Sequence, residues 1–207
     1  MSTYGTMQTR IADELKRTDL TSQIQLAILS AVNFYKTDRF WWNESRSDAS
    51  TVASQEYYGL PADFLALDFI GVTVSSRYYQ LVPKSAHEID EINWGAGTYT
   101  GYPAYFALYE NNLRLYPIPN AVYTLRIAYL KQLTALSASA DSNEWTVTAE
   151  ELIRLHAKAD LLENVIRGPE AVGESQALRF REREVYSQVR FNADLRRSSG
   201  RLRVSGW

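Results

Sequence analysis

Hydrophobic residues recur at helical spacing near both ends of this chain and at every second position through its middle. Ile11 and Leu15, four apart, predict a short first helix over about 7–16. A second helix is more strongly marked. Ser22 and Gln25 have the spacing of a capping box, and Ile24, Ile28, Ala31 and Tyr35 line one face, with Ala27 and Phe34 beside them. Asp38–Glu44, with three adjacent aromatics, closes it. From about Phe40 to Lys131 the period falls to two, and the candidate strands are Val52–Tyr58, Phe69–Ser75, Arg77–Val82, Tyr105–Tyr109, Asn112–Tyr116 and Val122–Leu130. In the last of these Tyr123, Leu125, Ile127 and Tyr129 share one face. Asn111-Asn112 is placed for a tight hairpin, since asparagine tolerates left-handed backbone. Ser85 and Glu88 form a second capping box, opening a short helix to Asn93, and 95–101 (G-A-G-T-Y-T-G) reads as a flexible loop.

After Leu133 the composition turns polar and reads as a linker. Thr148 then caps a long helix with Glu150 and Glu151 in its first turn, where the helix dipole favours acids. Its stripe runs Leu152, Leu155, Ala159, Leu162, Ile166, and Gly168-Pro169 ends it. A fourth helix over about 174–196 carries Leu178, Val185, Val189 and Ala193 on one face, with Arg179, Arg181, Glu182, Arg183 and Glu184 assigned to the other. The chain therefore divides into N-terminal bundle helices (1–39), a β-rich insert (40–135), C-terminal bundle helices (136–195) and an extended tail (196–207). The expected fold is α+β, with a small helical bundle built from both ends around a central antiparallel insert.

The tail reads R-R-S-S-G-R-L-R-V-S-G-W, with four arginines and no acid. Extended, it places Leu202, Val204 and Trp207 against Arg203 and Ser205, a pattern suited to a groove or a sheet edge on a partner. Arg196, Arg197, Arg201, Leu202, Arg203, Val204 and Trp207 are the partner-binding candidates, because Arg and Trp dominate protein interfaces. Aromatics make up 13% of the chain, with 14 Tyr and 5 Trp, which favours half-wet contact surfaces as well as a well-filled core.

Hydrophobic residues at 45% and charged residues at 22% fit a globular protein of 207 residues. There is no cysteine, so disulfide and thiolate chemistry are absent and assembly in a reducing cytoplasm is expected. No apolar run has the length of a signal sequence or a bilayer span, so no membrane partner is expected. The net charge of −2 gives no general attraction for nucleic acid, and four tail arginines would touch phosphate only weakly. His87 and His156 lack a second ligand at metal spacing. The glycine loop lacks the setting of a dinucleotide site, and no serine-nucleophile motif occurs. No catalytic, cofactor-binding or metal-binding residue is assigned. One enzymatic alternative keeps chemical content. Two of Asp63, Asp68, Glu88, Asp90, Glu91 and Glu110 in a cleft, with Trp41, Trp42 and Trp94 to stack on sugars, would make a glycan-binding or glycan-hydrolysing protein.

Three stretches carry a resemblance: Y-Y-G-L-P-A-D-F-L (57–65), Y-Q-L-V-P-K-S-A-H-E-I-D-E-I-N (79–93) and T-G-Y-P-A-Y-F-A-L-Y-E-N-N-L-R-L-Y-P-I-P-N-A-V-Y-T-L-R-I-A-Y-L-K (100–131). R-F-W-W-N-E (39–44) and W-T-V-T-A-E-E-L (145–152) add to it. The chain resembles the head-to-tail adaptor proteins of tailed bacteriophages, in particular the tail accessory type of short-tailed phages. The resemblance implies a homo-oligomeric, dodecameric ring beneath the portal protein, at the neck of the virion, assembled in the host cytoplasm. Such a ring extends the DNA channel without reading sequence and carries the tail tube, nozzle or fibre proteins, while the C-terminal segment reaches between portal subunits. A monomer before assembly is expected.

Overall fold

A computed structural model of the chain describes residues 1–94 and 99–197 and is α+β. The backbone forms two compact units: Met1–Asn43 with the chain from Leu133 onward, and Glu44–Gln132.

In the helical unit, α1 (Tyr4–Leu15) begins at a capping box formed by Thr3 and Thr6, the Thr3 amide donating to the Thr6 hydroxyl at 2.7 Å. Two more first-turn amides, of Tyr4 and Gly5, donate to the carbonyls of Asp141 and Ser139 at 2.8 and 2.9 Å. The polar segment after Leu133, a linker by composition, is therefore fastened to the start of α1. It is folded around the Asp141 carboxylate, which accepts from the amides of Ser137 (2.8 Å) and Ala138 (2.7 Å). Those bonds hold the carboxyl below its ordinary pKa. A Cβ on Gly5 would fall 2.8 Å from Ser139 Cβ and 2.9 Å from its carbonyl oxygen. Gly5→Ala thus sets a helix-propensity gain of about 1 kcal/mol against overpacking of about 1–3 kcal/mol on fixed backbone. A net loss of roughly 1 kcal/mol is expected in denaturant unfolding, with faster amide exchange at Tyr4 and Gly5; a stabilised variant would contradict the packing.

The helix α2 (Thr21–Tyr35) buries Ile24, Ala27, Ile28, Ala31 and Tyr35. No capping box forms at Ser22: the N-cap is Leu20, which is buried in the same core and fixes where the chain enters the helix. Thr148 likewise does not cap the long helix. A short helix, α4 (Glu144–Val147), is capped by Asn143 and delivers Thr148 in helical conformation, incompatible with the extended geometry of a side-chain cap. The N-cap of α5 (Glu150–Leu161) is Ala149, and Glu150 and Glu151 occupy its first turn as predicted. α5 passes into a π-helical turn, Leu162–Ile166, and breaks at Arg167 (φ 51°) and Gly168 (φ 131°). The last helix, α6 (Pro169–Arg197), starts ahead of the predicted Glu174 because Pro169 is already suited to a helix's first turn. α5 is buried on nearly every side, and α2 and α6 both pack on it. Phe40 stacks on Trp42 at 4.5 Å, and Trp145 meets both edge-on at 5.7 Å.

In the other unit one sheet has the order β1-β10-β3-β4, formed by Glu44–Ser50, Thr124–Lys131, Phe64–Val74 and Arg77–Gln80. A second has the order β2-β8-β7-β5, formed by Tyr57–Gly59, Asn112–Tyr116, Tyr105–Tyr109 and Val82–Pro83. A small parallel pair, β6 (Thr100–Gly101) with β9 (Ile118–Pro119), and the helix α3 (Ala86–Asn93) complete the unit. One core joins both sheets: Ile70, Val72, Leu125, Ile127 and Tyr129 from the first, Phe106, Leu113 and Leu115 from the second. The shared face predicted for Leu125, Ile127 and Tyr129 is the core face.

Several strands differ from expectation: the predicted Phe69–Ser75 begins at Phe64, and the predicted Arg77–Val82 divides into β4 and β5, which lie in different sheets. β1 (E-S-R-S-D-A-S) has no apolar alternation, because it is an edge strand held by its ladder to β10. The predicted Val52–Tyr58 strand shortens to Tyr57–Gly59. Thr51 instead turns the chain, its amide and hydroxyl donating to the carbonyls of Tyr123 and Ala121. The hairpin between β7 and β8 turns at Glu110 (φ 55°) and Asn111 (φ 70°), one residue earlier than predicted, and Asn112 already pairs with Tyr109. α3 begins at the predicted Ser85–Glu88 capping box.

Candidate interaction surfaces

The predicted partner-binding residues begin where α6 ends. Arg196 is exposed, and its guanidinium lies 4.3 Å from the centre of the Trp41 ring. Trp41 meets Trp42 edge-on, and Arg196, both indoles, Val189 and Asn192 line a cavity of about 330 Å³. Arg197 closes α6. Arg201, Leu202, Arg203, Val204 and Trp207 lie outside the described residues. So does most of the glycine loop, 95–98.

A buried polar cluster ties three helices together. Tyr35, at the end of α2, donates its hydroxyl proton to Glu182 Oε1 on α6, and His156 Nδ1 on α5 lies 2.6 Å from the same oxygen. A carboxylate accepts only, so Nδ1 carries the proton. Arg179 donates from Nη1 to Glu182 Oε2 at 3.0 Å, and from Nη2 and Nε to Glu163 of the π turn at 2.9 and 3.2 Å. Burial pushes the Glu182 carboxyl up, but the bonds from His156, Tyr35 and Arg179 outweigh it and hold it at about 2. Burial, with the bond to Glu182, raises the Tyr35 phenol well above its ordinary range. By charge alone Glu182 belongs on the solvent side of its helix. It is instead 6% exposed, because its carboxylate is fully paired inside. A carboxylate so strongly stabilised is a poor base at neutral pH, and the cluster's work is to lock α2, α5 and α6. Spacing does hold a signal for it: Glu182 stands four after Leu178 and three before Val185, on the apolar stripe itself.

The β unit presents a different surface. Tyr57, Tyr78, Tyr79, Tyr102 and Tyr109 are exposed, and Trp94 is 87% exposed at the end of α3. The Tyr79 and Tyr102 rings are 6.2 Å apart. Tyr78 lies across Gly71, where a Cβ would sit 2.3 Å from the ring, and the guanidinium of Arg126, bonded to Asp48 at 2.9 and 3.1 Å, lies 5.9 Å from the ring's centre. Four of the six candidate acids for glycan chemistry have these partners here. Asp63 accepts from Tyr129 at 2.9 Å, Glu88 caps α3, Asp90 pairs with Arg114 at 2.7 Å, and Glu91 lies 3.3 Å from His87. Among the described residues no three His, Asp or Glu side chains converge as a metal site, and no helix is long and apolar enough to cross a membrane.

The family model of the SU10 adaptor protein matches residues 2–205. The chain belongs to the SU10 adaptor protein family. This is a phage adaptor family, so the protein is a bacteriophage adaptor and a component of the virion. No curated protein matches the adaptor's sequence. The match runs through both compact units and on past the end of α6, so the surfaces described above all belong to the adaptor fold.

Proposed function

We propose that the adaptor acts without catalysis, as one subunit of a dodecameric ring seated beneath the portal of a short-tailed phage. The ring lengthens the DNA channel and gives tube, nozzle or fibre proteins their platform. The observation that carries this reading is the family match over nearly the whole chain. The surfaces agree with it: the β unit exposes Tyr57, Tyr78, Tyr79, Tyr102 and Tyr109, side chains suited to contact with neighbouring subunits or the tail. The segment 196–207 locks onto the portal, with Arg196, Arg197, Arg201, Leu202, Arg203, Val204 and Trp207 as its contacts. DNA passes through without sequence readout. Removing residues 198–207, which leaves Arg196 on Trp41, is expected to abolish co-sedimentation with portal rings of the same phage. Circular dichroism and the thermal midpoint should stay unchanged. Full attachment by the shortened chain would reject portal locking.

A further inference from the structure

The helix α2 carries no charged residue in its 15 positions, T-S-Q-I-Q-L-A-I-L-S-A-V-N-F-Y. Its buried stripe explains only half of that. The opposite face is open to solvent and consists of Ser22, Gln23, Leu26, Leu29, Ser30, Asn33 and, at its margin, Phe34. Leu26 and Phe34 are 67% and 65% exposed. Solvated helix faces ordinarily carry Lys, Glu or Arg, whereas the centres of protein interfaces are depleted of charge.

The face of α6 turned away from its core has a second apolar patch. Phe180 and Phe191 are eleven residues apart, three full turns, so they point the same way about 16 Å from each other along the helix. They are 66% and 60% exposed, and Leu195 (40%) continues the patch. Gly173, Ala177 and Ser187 lie on the same side, opposite Leu178, Val185, Val189 and Ala193.

The two patches differ in shape and chemistry. One is flat and uncharged, with small serines between leucines. The other has two projecting rings flanked by Arg183, Glu184 and Asp194. They also lie on different helices, both packed on α5. A patch that meets its own image makes a closed pair, whereas a ring requires two unlike patches that meet head to tail.

We infer that the uncharged outer face of α2 on one copy receives the Phe180–Phe191 face of α6 on the next copy, as the heterologous contact that builds the oligomer. Small residues on one helix then accept large ones from the other, as in helix-to-helix packing inside a core. This rests on the ring reading above, and names the surfaces through which the ring closes.

The native chain has no cysteine, which makes the contact accessible to crosslinking. Full-length L26C, F180C and F191C, and the pairs L26C/F180C and L26C/F191C, are mixed with portal rings of the same phage and treated with a short bismaleimide. A ladder of covalent dimers, trimers and higher species is expected from at least one pair, and its loss in every single variant. Two further results would overturn the inference. Dimers from a single variant mean that a patch meets its own image. Rings that form under electron microscopy but give no ladder leave the ring standing and move its contact elsewhere. If neither wild type nor any variant makes rings, the ring reading itself fails. A charge-swap pair checks the same contact without reagent: L26K and F191E each block assembly, and L26K/F191E on one chain restores it.

Discussion

Replacing Glu182 with alanine is expected to lower the unfolding free energy of the adaptor by about 3–5 kcal/mol, the range for breaking a buried, fully paired charge cluster. The substitution removes an acceptor used at once by Tyr35, His156 and Arg179. It leaves a phenol, an imidazole and a guanidinium without their shared acceptor. Glu182→Gln keeps the volume and one acceptor oxygen, so a smaller loss is expected, but its amide nitrogen cannot accept from Arg179. Urea unfolding at neutral pH, followed by tryptophan fluorescence, reads both. A loss under about 1 kcal/mol for the alanine variant would show that the cluster is not a lock.

The same carboxylate sets a pH signature. Its pKa is held at about 2 in the fold, against about 4.3 in the unfolded chain. A depressed carboxyl stabilises the fold fully above the unfolded value, and that contribution drains away as pH falls from about 4.3 towards 2. The difference of roughly two units corresponds to about 3 kcal/mol. Between pH 5 and 2 the wild type should therefore lose clearly more stability than Glu182→Gln, and the two curves should converge at the acid end. Parallel curves over that window would mean that Glu182 does not titrate with a depressed pKa.

The helical and strand periods are legible in the sequence because each element buries one face against one core. Ile24, Ile28 and Tyr35, or Leu125, Ile127 and Tyr129, state their faces by spacing alone. Misreadings fall where a partner distant in sequence sets local structure. β1 has no apolar alternation because β10 supplies its hydrogen bonds from about 80 residues away. The segment after Leu133 looks like a linker because its ordering comes from the first turn of α1. Thr148 has the type of a cap but follows a helix whose existence rests on Asn143 and on the burial of Trp145. The interaction surfaces divide similarly. The tail announces itself by composition, whereas the α2 face is marked by what it lacks, visible only once the helix is placed and its outer side is known.

Arg114 is the counterpart in the β unit, and its removal is expected to act locally as well as on stability. It sits in β8 between two core leucines, Leu113 and Leu115, with its side chain 8% exposed. The guanidinium donates through Nε to Glu56, and its Nη1 serves both the Ala86 carbonyl at 3.1 Å and Asp90 at 2.7 Å. One fork thus joins the segment entering β2, the strand β8 and both ends of the first turn of α3. Otherwise α3 is held chiefly by Ile89, packed with Ala107 and Tyr116. Arg114→Met keeps the apolar stem and removes the charge, leaving Glu56 half-buried without its cation; a loss of about 2–4 kcal/mol is expected. Arg114→Lys should recover little of it, since a point ammonium cannot serve both carboxylates and the carbonyl in the geometry of a planar fork. Hydrogen exchange locates the effect. Amides of 89–93 should exchange faster in both variants, while those of α5, in the other compact unit, keep their protection. If Arg114→Lys matched wild type in stability and in exchange across α3, the charge alone would be holding the helix, and the fork geometry would have no part in it.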